Sequence, residues 1–186
     1  MRVEDAQREV RLTFVGGAVG QLVSALVWAA SAAFATWGTP RQAITVLVVG
    51  GFFIFPLTQL GLRLAGRRSA LSRDNPLNGL GMQVAFTLPL GLPVVAAVAV
   101  HHLEWFYPAF MVVLGAHYLP FVFLYGMRMF AGLCAVLVGG GTFLALHGPD
   151  SFAFPAWVTT LVLLTFSALG LARVSRELAD VPRSAA

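Results

Sequence analysis

Residues 105–127 read WFYPAFMVVLGAHYLPFVFLYGM, twenty-three residues with no charge, bounded by Glu104 and Arg128. At 1.5 Å per residue such a helix reaches about 35 Å, enough to cross the roughly 30 Å hydrocarbon core of a bilayer. Working outward from it, charges bound five more runs of that kind. The six expected spans are about 12–37, 42–62, 78–100, 105–127, 129–147 and 152–172. The predicted fold is therefore all-α: a polytopic membrane protein, one transmembrane domain over 1–186, built as a bundle of six transmembrane helices.

Composition agrees with that reading. Of 186 residues 58% are hydrophobic and only 11% charged, with a mean hydropathy of +0.81. A soluble domain carries about 25% charged residues. The net charge of +4 does not point to nucleic acid, because the arginines lie between apolar runs and form no patch in the sequence. All twelve basic residues are arginine. Cys134 is the lone cysteine, which excludes a disulfide framework, a CxxC pair and a thiolate metal site. The first apolar run lacks a small-residue cleavage site after a short core and reads as a retained span.

The turns between spans carry breaker chemistry at Gly38-Thr39-Pro40, Asp74-Asn75-Pro76 and Gly148-Pro149-Asp150. Asn75 is the expected cap of the third span and Pro76 its first residue. With connections this short, sequential spans are expected to pair as antiparallel hairpins. One side of the membrane would hold Arg2, Arg8, Arg11, Arg63, Arg67, Arg68, Arg73, Arg128, Arg173, Arg176 and Arg183, and the other only Arg41. Eleven against one predicts that the arginine-bearing side, with both termini, is cytoplasmic. Trp37, Trp105 and Tyr107 then fall at the outer interface. The expected location is a bacterial inner membrane.

No Asp, Glu, Lys or Arg lies in the interior of a span. Proton relays, voltage sensors and carboxylate-coupled transporters normally keep such charges. No HExxH zinc motif and no GxSxG elbow occurs, so an enzyme is not expected. A membrane enzyme borrowing a cofactor remains a third reading, and no cofactor is predicted. The polar residues left inside are His117, Tyr118, Tyr125, Gln21, Gln59, Gln83 and several threonines. His117 lies near the middle of its span. The three glutamines lie roughly 6–10 Å toward the arginine side of theirs. Gln21 and Gln83 each sit on a row of small residues, Gly17-Gln21-Ala25-Ala29-Ala33 and Gly79-Gln83-Thr87-Gly91, which predicts packed helix faces. These amides serve either as interhelical glue or as the lining of a polar cavity.

Pro56, Pro89, Pro93 and Pro120 fall within spans, and each leaves a carbonyl four residues earlier without its donor. For Pro120 that carbonyl is Ala116, next to His117. Gly139-Gly140-Gly141 is a further expected weak point, at about 1 kcal/mol per glycine against alanine. Broken helices beside midplane polar groups are a pattern of transporter binding sites. Residues 55–63 and 119–128 are faintly alike, as a duplicated hairpin would leave them.

D74-N-P-L-N-G-L-G81 with Gln83 and Pro89, then M111-V-V-L-G-A-H-Y-L-P-F121 and L124-Y125, resembles a family of unknown function. Its members are small bacterial multi-span proteins carrying NPL..LG..Q, then GAH-aromatic-x-P-aromatic and LY. The resemblance covers about 70–126. It implies a six-helix membrane protein and a single site joining His117, Gln83 and Pro120, and it supplies no activity. The leading expectation is binding or passage of a small solute or lipid headgroup in a cytoplasm-biased polar cavity formed by His117, Tyr118, Gln83, Gln59, Gln21 and Tyr125. The rival is a non-enzymatic scaffold or regulatory protein. Expected partners are membrane lipid and a small-molecule ligand, with a homo-oligomer compatible; no metal is expected.

Overall fold

A computed structural model describes residues 1–67 and 70–179. Arg68 and Arg183, two of the arginines counted toward orientation, lie outside the described residues, as does the chain beyond Ala179. The described chain is helical: α1 (Val3–Thr13), α2 (Ala18–Trp37), α3 (Pro40–Leu64), α4 (Asn78–His101), α5 (Phe106–Tyr118), α6 (Phe121–Tyr125), α7 (Met129–His147) and α8 (Phe154–Ala179). Six helical segments among the described residues are long and apolar enough to cross a membrane, the fourth being the stretch Leu103–Tyr125.

Local chemistry explains most boundaries. Thr39 and Gln42 close a capping box, with the Gln42 amide nitrogen donating to Thr39 Oγ1 at 3.3 Å and Thr39 N to Gln42 Oε1 at 3.0 Å. Pro40 follows as the first residue of α3. Asn75 accepts from Leu77 N at 2.9 Å, a turn that delays α4 until Asn78. Its buried amide also donates to Ala6 O (3.2 Å) and Glu9 (2.9 Å), so it ties α1 to the start of α4.

The element the sequence reading missed is α1. Ala6 and Val10, four apart, form its buried stripe, while Glu4, Arg8 and Arg11 line its polar side. A reversal through Val15, Gly16 and Gly17, all at positive φ, separates it from α2. Gly16 is also required sterically, since a Cβ there would stand 2.9 Å from Val174 and 3.0 Å from the Gly170 carbonyl of α8.

Packing departs from simple sequential hairpins. α2 packs against α3 as expected and α4 against α5, but α8 lies mainly on α2, and α7 mainly on α5. The reason is visible in small residues. Ser167 donates to Ala18 O at 2.8 Å where α8 meets α2. Gly115 and Gly141 let α5 and α7 approach: a Cβ at Gly115 would meet Leu137 Cβ at 2.9 Å, and one at Gly141 the Pro108 carbonyl at 2.7 Å. The triple glycine of α7 is thus a seam, and the helix runs through it unbroken. Pro56, Pro89 and Pro93 likewise sit inside continuous helices. Only Pro120 falls at a break, between α5 and α6. The two proline segments that look alike in sequence therefore differ in structure.

The half of the bundle away from most of the arginines is filled with large side chains. Trp28, Tyr107, Phe110 and Met111 are buried, and the Trp28 ring meets Tyr107 and Phe110 at 5.8 and 5.3 Å. Tyr107 is fully buried and not an interfacial ring. Its hydroxyl lies 2.6 Å from Ser31 Oγ, which in turn donates to Ala43 O at 2.8 Å, joining α2, α3 and α5. A buried tyrosine needs a polar partner, and Ser31 supplies it. Trp37, 78% exposed, and Trp105 remain at that end's surface.

Candidate functional site

The predicted site residues do not converge on one cavity. Gln21 is buried in α2, and neither atom of its amide has a hydrogen-bond partner among the described residues. One turn earlier, Gly17 faces the rings of Phe130 and Tyr125, within 3.2 and 3.6 Å of where its Cβ would be. One turn later, Ser24 faces the Tyr118 hydroxyl. Gln21, Tyr118 and Tyr125 therefore share the inner side of the bundle. Tyr125 and Tyr118 belong to an aromatic cluster with Phe121 and Phe130, at ring separations of 5.1–6.2 Å.

His117 points elsewhere. Its Nδ1 lies 2.7 Å from Thr87 Oγ1 on α4, and its ring meets Tyr118 and Phe121 edge-on. Thr87 Oγ1 also donates to Val84 O at 2.7 Å. Because a threonine hydroxyl has one proton, satisfying both contacts requires the proton on His117 Nδ1. The Ala116 carbonyl near Pro120 is taken by Leu119 N at 3.2 Å. Gln83 is exposed on α4, and Gln59 is half-buried on α3. The small-residue row of α4 splits accordingly. Around Gly79 a Cβ would meet open space, while Gly91 packs on Val113 of α5.

A different site lies at the arginine-bearing end, where α1 crosses the break between α5 and α7. α1 donates to two carbonyls in the last turn of the short α6. Gln7 Nε2 donates to Phe123 O at 2.6 Å, and Arg11 Nη1 to Tyr125 O at 2.8 Å. Arg11 also grips Glu177 of α8 in a two-pronged pair, Nη2 to Oε1 at 3.0 Å and Nε to Oε2 at 3.1 Å, with Arg8 at 3.6 Å. Those guanidinium bonds, with the charge of Arg8 and Arg173 nearby, hold the Glu177 carboxyl below the usual glutamate range. Glu177 stands on the last turns of α8, past the charge-free stretch that ends before Arg173.

Between these elements opens a cleft of about 1100 Å³. Five arginines line it (Arg8, Arg11, Arg128, Arg173 and Arg176) with Glu177 as the one carboxylate in its wall. Its remaining wall is largely apolar, including Met127, Met129, Leu169 and Ala172. Arg128 and Arg176 make no side-chain hydrogen bond or ion pair among the described residues. In sequence these arginines read only as orientation signals. The available cue was the i, i+4 pair Ala6 and Val10 amid charges, marking a helix that would bring Arg8 and Arg11 onto the bundle.

Comparison with curated proteins and with solved structures gives no match. Residues 3–173, which include α1, the cleft's Arg128 and most of α8, match the family of unknown function DUF7010, and the chain belongs to that family.

Proposed function

We propose that this is a bacterial inner-membrane protein, with α1 and the end of α8 in the cytoplasm, that binds a small ligand at its cytoplasmic face without catalysing a reaction or conducting through the bundle. The observation that carries this reading is the cleft at the arginine-bearing end, set against the solid layer of Trp28, Tyr107, Phe110 and Met111 in the opposite half. Excess arginine on one side supports the orientation. A scaffold reading has one observation in its favour. Gln59 and Gln83 sit toward the outer surfaces of α3 and α4, where an amide in lipid favours another helix, such as one from a second copy.

Thiol labelling tests the proposal in a Cys134→Ser background. Ala172→Cys, in the cleft wall, should react with a charged maleimide in inverted vesicles and stay unmodified in intact spheroplasts. Ser31→Cys, in the packed layer, should be unreactive from both sides. Labelling of Ser31→Cys by the charged reagent would mean an aqueous passage. Labelling of Ala172→Cys only from outside would reverse the topology, and none from either side would remove the cleft.

A further inference from the structure

We propose that the arginine cleft is a phosphate-binding site, which takes the phosphate group of an anionic lipid headgroup or of a soluble phosphate compound. This inference rests on the cleft being the ligand site proposed above.

The charge count comes first. Of the five arginines in the wall, Arg11 is committed to Glu177 and the Tyr125 carbonyl, and Arg8 leans on the same carboxylate at 3.6 Å. Among the described residues Arg128 and Arg176 have no side-chain hydrogen bond or ion pair, and Arg173 shares only the long-range field of Glu177. One carboxylate cannot balance five guanidinium groups. The cleft therefore holds a positive potential, which a bound anion would relieve.

The type of cation narrows the anion. Guanidinium presents a rigid fork of N–H donors that matches phosphate oxygens two at a time, and it is weakly hydrated. Arg173 and Arg176, three apart on α8, project from one helix face. Arg128 approaches from the α6–α7 turn, and Arg8 from α1. Donors from three elements surround a common volume, as a group with several acceptor oxygens requires.

The apolar wall bears on the source. Leu169 lines the cleft and is 51% exposed on α8, one turn closer to the span than Arg173. Met127 and Met129 flank Arg128. A phosphate carried on a glycerol backbone with acyl chains would set its charge among the arginines and its chains along Leu169. Basic pockets between helices on the cytoplasmic side have the chemistry of anionic headgroup sites.

The experiment uses the full chain in neutral detergent and reads how far a probe slows maleimide modification of Ala172→Cys (Cys134→Ser background). The probes are inorganic phosphate, dihexanoyl phosphatidic acid, dihexanoyl phosphatidylglycerol and dihexanoylglycerol. At least one phosphate-bearing probe should slow labelling tenfold at saturation, while dihexanoylglycerol leaves it unchanged. Protection by the lipids alone assigns a headgroup, and protection by inorganic phosphate at comparable concentration assigns a soluble phosphate compound. Adding Arg128→Gln with Arg176→Gln should raise the protecting concentration at least tenfold. Arg176→Gln alone should raise it severalfold, which keeps the test valid should the double variant not fold. No protection by any phosphate probe, with Ala172→Cys still labelled freely, overturns the phosphate assignment and leaves the cleft reading standing. Equal protection by dihexanoylglycerol, or unchanged protection in the arginine variants, also overturns it.

Discussion

Three consecutive glycines in α7 should respond to alanine with different signs. Gly139 has open space where a Cβ would be, Gly140 would meet only Met111 Cε at 3.6 Å, and Gly141 would drive a methyl to 2.7 Å from the Pro108 carbonyl and 2.9 Å from Met111 Cβ. Alanine gains about 1 kcal/mol over glycine inside a helix. With no steric term against it, Gly139→Ala should stabilise by up to that amount, and Gly140→Ala by the same or slightly less. At Gly141 the methyl falls about 0.7 Å short of ordinary contact with a backbone oxygen, and no rotamer of α5 can move that atom away. Overpacking of that kind costs about 1–3 kcal/mol. Against a backbone group the upper half of that range applies, leaving Gly141→Ala about 1–2 kcal/mol less stable than the parent. The assay is the melting temperature in detergent by tryptophan fluorescence, where each kcal/mol moves the midpoint by about 2–4 °C for a chain of this size. If Gly141→Ala melts as high as Gly139→Ala, α5 and α7 do not meet at that seam and the packing order given above is wrong.

The His117–Thr87 contact should show in a double-mutant cycle. His117→Leu should cost about 1 kcal/mol or less, since Thr87 keeps its bond to Val84 O. Thr87→Val should cost about 1–3 kcal/mol, since it takes the partner from His117 Nδ1. Their coupling should be about 0.6 kcal/mol, the value typical of hydrogen bonds between membrane helices. Zero coupling would refute the contact. The clasp of α1 on α8 should be acid-labile. Because the Glu177 carboxyl is lowered in the folded chain, its contribution is complete above the ordinary glutamate range and fades as pH falls through the lowered folded value. Glu177→Gln should lose about 1–3 kcal/mol at pH 7, and its melting temperature should converge on the parent's in acid. A difference that stays constant down to pH 3 would mean that the carboxylate does not carry the clasp.

The span count, the run boundaries and the breakers were legible because they depend on quantities read along the chain: hydrophobic length, charge position and turn residues. Five of the six spans lie within a few residues of the charge-bounded runs, and the last extends seven residues past its expected end as α8 leaves the apolar stretch. Burial of Ala25, at 0% exposure, followed from its small-residue row. What failed was azimuth. Gln21 and Gln83 share a depth and similar small-residue rows, yet one is buried and the other exposed. A row of small residues marks a face that can be approached, and it does not say whether a neighbour is there. At Gly91 there is one, and at Gly79, three turns away, there is none.

The arginines show the opposite failure, in which a residue already explained was not questioned again. Arg8 and Arg11, Arg128, and Arg173 and Arg176 lie in three separate stretches of sequence, and the membrane-topology rule accounts for each of them. That rule requires only that arginines be on one side; it gives no reason for them to face one another across a cleft. What brings them together is the end of α6, where the chain turns at Gly126 with positive φ and leaves the Phe123 and Tyr125 carbonyls within reach of α1. The last carbonyls of a helix lack their usual donors within the helix, and α1 supplies Gln7 and Arg11, Phe123 O also accepting from Gly126 N at 3.2 Å. Docking α1 on those carbonyls carries Arg8 to the edge of α8 and places Glu177 within reach of both arginines. The end of the opening stretch thus shapes the arginine-bearing end of the bundle. Its consequence is a basic cleft, while His117 is bonded to Thr87 of α4.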